Sequence, residues 1–239
     1  MEIKKRVSSL KMGPSHPIGR CPYCSGTLYH LSDGMKKCAA CRKKFSLKKV
    51  ARDCDLIARF CDGETALSAA QAAGYSYQSV VARYANLRLL AAAHLEDAYD
   101  AARDQVSEFE EYIYLEASKR HDKRHIFDAH NFITFDYGGR VYNLLMPSLH
   151  RYKQEFLDDG LEKLYYDEFS KFLRIHRIAK LQKNKNSITA FWEFFEEYII
   201  RFKGVKTENF AYYLKEAEFK FNYSESEQFN ILYTRWFTP

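Results

Sequence analysis

The stretch Cys21-Pro-Tyr-Cys24 through Cys38-Ala-Ala-Cys41 decides how this chain is organised. Two residues between paired cysteines let both thiolates turn toward one metal ion, and two such pairs supply the four sulfurs of a tetrahedral zinc site. The sequence therefore predicts a zinc ribbon with the ligands Cys21, Cys24, Cys38 and Cys41. We expect this zinc to be structural, because four protein ligands leave no position for water or substrate. Two disulfides, or reduced core cysteines, are the alternative interpretations.

Positive charge is concentrated on and around this ribbon. Residues 1–52 contain thirteen Lys or Arg against two acidic residues, a balance of +11, whereas the other 187 residues balance at −5. A block with this charge would condense on a polyanion, and nucleic acid is the first candidate. Within it, the basic strand with Arg42, Lys43 and Lys44 is expected to lie along a phosphate backbone. A basic tail that only improves solubility is the alternative.

A second DNA-contacting element is predicted after the ribbon. Residues 62–84 indicate a helix of small residues, a turn at Gly74 and a second helix capped by Ser76, which is the layout of a helix-turn-helix. The first turn of the second helix would then face the major groove of double-stranded DNA, with Arg83 one turn further on. The exposed residues of that turn are Tyr77, Gln78 and Ser79. A helical hairpin without a DNA-binding role explains the same pattern.

The composition is that of a folded protein, with 46% hydrophobic and 16% aromatic residues. No run approaches the roughly 18 apolar residues of a membrane helix. The basic N-terminus has no apolar region behind it, so no secretory signal is readable. We therefore expect a cytoplasmic, DNA-associated protein without a membrane partner.

The second half of the chain alternates between strand and helix patterns. Residues 108–115, 131–137 and 140–146 predict antiparallel strands, with Gly138-Gly139 as a hairpin turn. A helix from Pro147 to about Leu157, a short strand at 161–166 and a further candidate strand at 172–178 follow. A long amphipathic helix then begins at Ser187. This order suits an α/β fold, a ribonuclease-H-like mixed sheet flanked by helices.

The predicted domain organisation has five parts. They are a flexible lead-in at 1–19, the zinc ribbon at 20–48, a small helical helix-turn-helix region at 49–106, the ribonuclease-H-like domain at 107–222 and a C-terminal tail at 223–239.

Several stretches also carry a family resemblance. The chain resembles the insertion-sequence transposases that have an N-terminal zinc ribbon and a DDE-type catalytic domain, the ISXO-two-like group. The similarity spans roughly residues 20–222. The matching stretches are the two cysteine pairs with Arg42-Lys-Lys-Phe-Ser46, Glu108-Phe-Glu-Glu111, Gly139-Arg-Val-Tyr142, Asn186-Ser-Ile-Thr-Ala-Phe-Trp192, Arg201-Phe-Lys-Gly-Val205 and 210–222.

The resemblance implies a site of three carboxylates that hold two Mg²⁺ ions for DNA cleavage and strand transfer. The three positions fall at Glu110, where the family has Asp, at Asp167, which matches, and at Thr189, where the family has Glu. A neutral hydroxyl cannot replace a carboxylate on Mg²⁺. Glu193, one helical turn later, is displaced by about 5.4 Å along the helix. These carboxylates are either remnants or a weakened, realigned metal site.

Two functions follow from the resemblance. One is a DNA-binding relative of transposases whose strand transfer is impaired or lost. The other is an active, Mg²⁺-dependent transposase with a nonstandard acidic set. Self-association is expected from the family alone. Two further basic groups are candidates for phosphate contact, namely His121 and His125 with their neighbouring lysines and arginines, and Lys180, Lys183 and Lys185.

Overall fold

A computed structural model of the chain describes residues 19–148, 153–158, 160, 163–171, 186–202 and 205–238. It divides into two compact units, the first formed by the chain up to Ala91 together with Tyr223 onward, the second by Ala92–Asn222. Among the described helices, none is both long and apolar enough to cross a membrane.

The first unit begins with a small antiparallel sheet. Its strands are β1 (Leu28–His30), β2 (Lys36–Cys38) and β3 (Lys44–Phe45), in the order β1-β2-β3. Asp33 and Gly34 lie in the turn between β1 and β2, where Gly34 takes a φ of 76°. The buried residues Cys21, Cys38 and Phe45 form the core of this ribbon, with Leu28 packed against them.

Three helices follow the ribbon: α1 (Leu47–Cys61), α2 (Ala66–Ala73) and α3 (Tyr77–Ala101). Thr65 caps α2 because its side chain accepts a hydrogen bond from the backbone N–H of Ser68 at 3.2 Å. Gly74 ends α2 in the left-handed region, at a φ of 67°, where a residue with a side chain would be strained. The predicted helix, glycine turn and second helix are therefore present. Only the part of α3 up to Ala91 belongs to the first unit.

The end of the chain is a helix, where the sequence analysis expected a tail. Helix α8 (Glu225–Phe237) starts with a capping box, in which the Ser224 N–H and hydroxyl both donate to the Glu227 carboxylate. The helix packs on α1. Its last residue, Phe237, is buried and meets the ring of Tyr23, inside the first cysteine pair, at 5.6 Å between centroids. Burial of this apolar face explains why residues 223–238 are ordered onto the first unit.

The second unit contains the second antiparallel sheet, of β4 (Val106–Tyr114), β5 (His130–Tyr137) and β6 (Arg140–Leu145). The order is β4-β5-β6, so β5 is central. The predicted hairpin is confirmed: Gly138 and Gly139, with φ of 61° and 81°, form the two-residue turn that suits right-twisted strands. The single 3₁₀ turn Arg103–Gln105 separates α3 from β4, which places the start of the strand at Val106.

Two helices cover one face of this sheet, α6 (Ser187–Ile199) and α7 (Phe210–Asn222). The apolar stripe of α6 predicts this burial, and Phe191, Trp192 and Phe195 are all buried. From the sheet, Tyr112, Phe132 and Val141 join the same cluster. Aromatic rings dominate the contact, as the high aromatic content indicates.

The short strand predicted at 161–166 is wrong. Residues 163–171 form a helix, which we label α5, after the six-residue α4 (Lys153–Asp158). Tyr165 and Phe169 are four residues apart, so they share one helix face and pack into a cluster with Leu115 and Phe127. This burial selects the helix. The candidate strand at 172–178 lies outside the described residues.

The described residues thus form a mixed α/β protein with two small antiparallel sheets and flanking helices. Neither sheet contains a parallel pair within the part of the chain that the structure describes. The α/β class is confirmed, whereas the ribonuclease-H-like arrangement is not established by this topology.

A pH-dependent loss of stability is expected from His130. Its ring stacks on Phe210 with 3.7 Å between centroids, and burial, assisted by the charge of Lys119, lowers the pKa of His130 to about 4. The unfolded chain therefore binds a proton as pH falls from about 6.5 to about 4, while the folded chain does not. Stability should fall over this interval, by up to about 3 kcal/mol.

Urea unfolding of the wild type and of His130→Phe, at about pH 7 and about pH 4.5, measures this contribution. The phenyl ring can stack but cannot bind a proton, so the variant should lose less stability on acidification. Parallel pH profiles for the two proteins would contradict the assignment.

Candidate functional site

Four cysteine sulfurs converge in the ribbon. The Sγ atoms of Cys21, Cys24, Cys38 and Cys41 all lie within 4.8 Å of one another. The Cys21–Cys41 and Cys24–Cys38 pairs are 3.7 Å and 3.4 Å apart, and all four cysteines are free. Tetrahedral zinc with Zn–S bonds of about 2.3 Å holds its sulfurs about 3.8 Å apart. The cluster can therefore hold a metal ion such as zinc, and the disulfide interpretation does not describe it.

The two cysteine pairs are built alike. In each, the backbone N–H of the first cysteine donates to the carbonyl five residues later, Cys21 to Gly26 at 2.9 Å and Cys38 to Lys43 at 3.1 Å. The residue after each second cysteine, Ser25 or Arg42, has a positive φ, 57° and 59°. Non-glycine residues in this region are strained and persist where the surroundings hold them. The two loops thus present their sulfurs by the same backbone path.

Gly26 is required by a close approach to the cluster. A Cβ at this position would lie 3.0 Å from the Cys38 sulfur and 3.0 Å from the Ala40 Cβ. Any side chain would therefore push the two cysteine loops apart.

The thiols differ in how readily they ionise. Burial raises the pKa of Cys21 to about 12. Burial also opposes ionisation of Cys38, but hydrogen bonds from the Cys41 backbone N–H and the Cys24 thiol outweigh it and lower the pKa of Cys38 to about 6. A metal bound by all four sulfurs must displace the remaining thiol protons, so its binding releases protons.

The basic residues at the end of the ribbon are exposed, as the sequence analysis expects for a phosphate contact. Two of them also make local contacts. Lys43 Nζ lies 4.3 Å above the centre of the Tyr23 ring, and Lys44 Nζ pairs with Asp33 at 2.6 Å. Arg42 lies on the strained loop beside the second cysteine pair. These side chains therefore project from backbone next to the cysteine cluster.

The first turn of α3 is anchored to α1 by a partly buried ion pair. Arg83 Nε donates to Asp53 Oδ1 at 3.0 Å, and Asp53 is only 4% exposed. The same guanidinium donates to the hydroxyl of Ser79 at 2.6 Å. Tyr77 and Gln78, by contrast, are exposed. Arg83 and Ser79 thus position the turn, while Tyr77 and Gln78 are the side chains presented to solvent.

The carboxylates expected to bind Mg²⁺ lie on different elements. Glu110 is half-buried on β4, opposite Thr134 of β5. Asp167 is exposed on α5 rather than at the end of a strand. In α6, the Thr189 hydroxyl donates to the Asn186 carbonyl at 3.1 Å, and its N–H donates to the Asn186 side chain at 2.9 Å. Thr189 therefore acts in the helix cap.

Two further acidic residues near this position, Glu108 on β4 and Glu196 on α6, are tied to other groups. Glu108 accepts a hydrogen bond from the Asn186 side chain at 2.9 Å. Glu196 accepts from the Tyr112 hydroxyl at 2.8 Å and from Arg120 at 3.2 Å. Among the residues described, the cysteine cluster is the one group of three or more potential metal ligands that come together.

The second unit contains a buried polar chain that the sequence patterns do not predict. Trp192 Nε1 donates to the Thr134 hydroxyl at 2.9 Å, and Thr134 donates to the Asn143 side-chain oxygen at 2.7 Å. Asn143 in turn donates to the fully buried Glu218, whose carboxylate also accepts from Lys215 at 2.9 Å. The sequence signal for this chain is a pair of polar residues, Thr134 and Asn143, at buried positions of two paired strands.

The remaining candidates for phosphate contact are the two basic groups at His121 and His125 and at Lys180, Lys183 and Lys185. His125 Nδ1 lies 3.1 Å from Asp128, which also pairs with Lys119, so part of this basic segment is neutralised locally. Lys180, Lys183 and Lys185 lie outside the described residues.

Comparison with known proteins finds one informative similarity. A stretch of 69 residues is 39% identical to a Haemophilus influenzae protein described as an uncharacterized transposase-like protein, and covers 27% of this chain and 55% of that protein. The chain thus spans about half the length of this curated relative. No protein family model matches the chain, and no solved structure matches it.

Loss of one cluster cysteine should abolish stable metal binding. We expect wild-type protein to hold about one zinc per chain and Cys24→Ser to hold much less, because a structural site needs all four sulfurs. The ribbon should then become sensitive to protease. Metal analysis and limited proteolysis measure both effects. The matched control is Cys54→Ser, a cysteine of α1 outside the cluster. Equal zinc content in both variants would refute the assignment.

Proposed function

We propose that this chain is a DNA-binding protein of the transposase family that recognises element ends, or a genomic site derived from them. Its ribbon carries structural zinc, and its partner is double-stranded DNA. The observation that carries this proposal is the first turn of α3. There Tyr77 and Gln78 are exposed while the Asp53–Arg83 ion pair fixes the helix on α1. A rigid helix end with exposed polar and aromatic side chains is what major-groove recognition requires.

Charge and similarity support the same conclusion. The balance of +11 over residues 1–52 favours attraction to a polyanion. The similarity to a transposase-like protein favours DNA over an anionic membrane surface as that polyanion. By analogy with the transposases that the sequence resembles, we extend the proposal to self-association and to a ribonuclease-H-like domain at 107–222, of which β4, β5 and β6 would be the first strands.

We further propose that strand transfer is impaired or lost. Two Mg²⁺ ions need anionic oxygen ligands. At position 189 the chain offers a hydroxyl that is already bonded to the Asn186 carbonyl. Asp167 is exposed on a helix, so its carboxylate lacks the rigid surroundings of a preorganised site.

The role of α3 can be tested with two matched glutamines. A target is first selected from random duplex DNA with the whole protein. Gln78→Ala should then weaken binding to that target by about 5- to 150-fold, because one bidentate base contact contributes roughly 1–3 kcal/mol of discrimination. Gln71→Ala, exposed on α2, should bind within about twofold of the wild type. Equal affinities for the two variants would show that α3 does not read the bases.

Catalysis is tested on the same selected DNA. With Mg²⁺ present, the wild type and Asp167→Ala should both bind this DNA and produce no cleaved or joined strands. Cleavage by the wild type that needs Mg²⁺ and disappears in Asp167→Ala would instead establish an active transposase with a nonstandard acidic set.

A further inference from the structure

The sheet of the ribbon has two unlike faces. Leu28 pairs with Cys38 across β1 and β2, and Lys36 pairs with Phe45 across β2 and β3. Cys38 and Phe45 are buried, so this face lies against the sulfur cluster. Because side chains alternate along a strand, the neighbouring positions point the other way.

The outer face presents one cross-strand row of three residues. Tyr29 pairs directly with Lys37, and Lys37 pairs directly with Lys44. Tyr29 is 44% exposed, so its ring is accessible to a ligand on this face. The row therefore offers an aromatic surface beside two ammonium groups.

The row contains two directly opposed lysines, Lys37 and Lys44. Directly opposed like charges on neighbouring strands are destabilising. Asp33 pairs with Lys44 and compensates one of the two charges, in an ion pair whose side chains are about half exposed. An anionic ligand over the row would relieve the repulsion between Lys37 and Lys44. A base stacked on Tyr29 would bury the exposed ring.

We propose that the row Tyr29, Lys37 and Lys44 binds an unpaired DNA strand, with a base stacked on Tyr29 and phosphates at the two lysines. In a duplex the faces of the bases are covered by their neighbours, so an exposed ring on a sheet can stack only on a base that has left the helix. This inference rests on the proposed DNA-binding function and adds a second contact, distinct from the duplex contact of α3.

The test uses the full-length, zinc-loaded protein and fluorescence anisotropy. The probes are labelled oligothymidine and a duplex of the same length. Tyr29→Ala should weaken oligothymidine binding by about 5- to 150-fold, the effect of losing one stacked base, and leave duplex binding unchanged. Tyr29→Phe should retain oligothymidine binding within about twofold, since a phenyl ring also stacks. Lys37→Gln should reduce the salt slope for oligothymidine by about 0.7.

Tyr77→Ala is the matched control, since Tyr77 is 53% exposed on α3. It should weaken duplex binding and leave oligothymidine binding unchanged. Equal oligothymidine affinities for the wild type and Tyr29→Ala, with equal zinc content, would overturn the inference and leave the duplex proposal intact. Oligothymidine binding that depends on Tyr29 in a protein that does not bind duplex would have the opposite meaning: the proposed function fails and the single-strand site stands.

Discussion

The convergence of four sulfurs is the constraint on which the first unit depends. The ribbon sheet has strands of only two or three residues, and its buried core is two cysteines and Phe45. So small an apolar core contributes too little to hold two strained loops by itself. A metal ion bound to the sulfurs would stabilise both loops at once, and through them the exposed residues Arg42 and Lys44. The basic surface and the cysteine cluster therefore belong to one structural element.

The second unit depends on a different kind of interaction, a buried acid. Burial raises the pKa of Glu218 and lowers the pKa of Lys215, so each group alone would resist the charged form. Together with Asn143 they satisfy one another's hydrogen bonds. A connected set of this kind fixes how α7 lies on the sheet, because a shifted register would leave a buried carboxylate without donors.

Much of this architecture follows from local signals. The cysteine spacing predicts the metal cluster, Gly74 predicts the turn between α2 and α3, and Gly138-Gly139 predicts the hairpin. The short strand at 161–166 is wrong because a brief apolar run fits either a strand or a helix, and only the burial of Phe169 in the fold selects the helix. The capping box at Ser224 was a readable sign of α8 that the tail prediction overlooked.

Contacts distant in sequence could not be predicted in this way. Asp53 and Arg83 are 30 residues apart, and neither neighbourhood indicates that the two will pair. The sequence therefore predicts Arg83 as a DNA contact, whereas in the structure Arg83 anchors α3 to Asp53 of α1.

The two edge strands of the second sheet, β4 and β6, differ chemically. At β6, the Val141 backbone N–H and carbonyl both bond to the Asn222 side chain, and the Asn143 N–H donates to Glu218. Side chains of α7 thus occupy part of the β6 edge, at backbone groups that a fourth strand would otherwise use. A further strand would therefore pair at β4 more readily than along the part of β6 that Asn222 and Glu218 occupy. β4 carries Glu108, Glu110 and Glu111. Like charges on neighbouring strands repel, so an acidic strand, including a second copy of β4, is disfavoured at this edge.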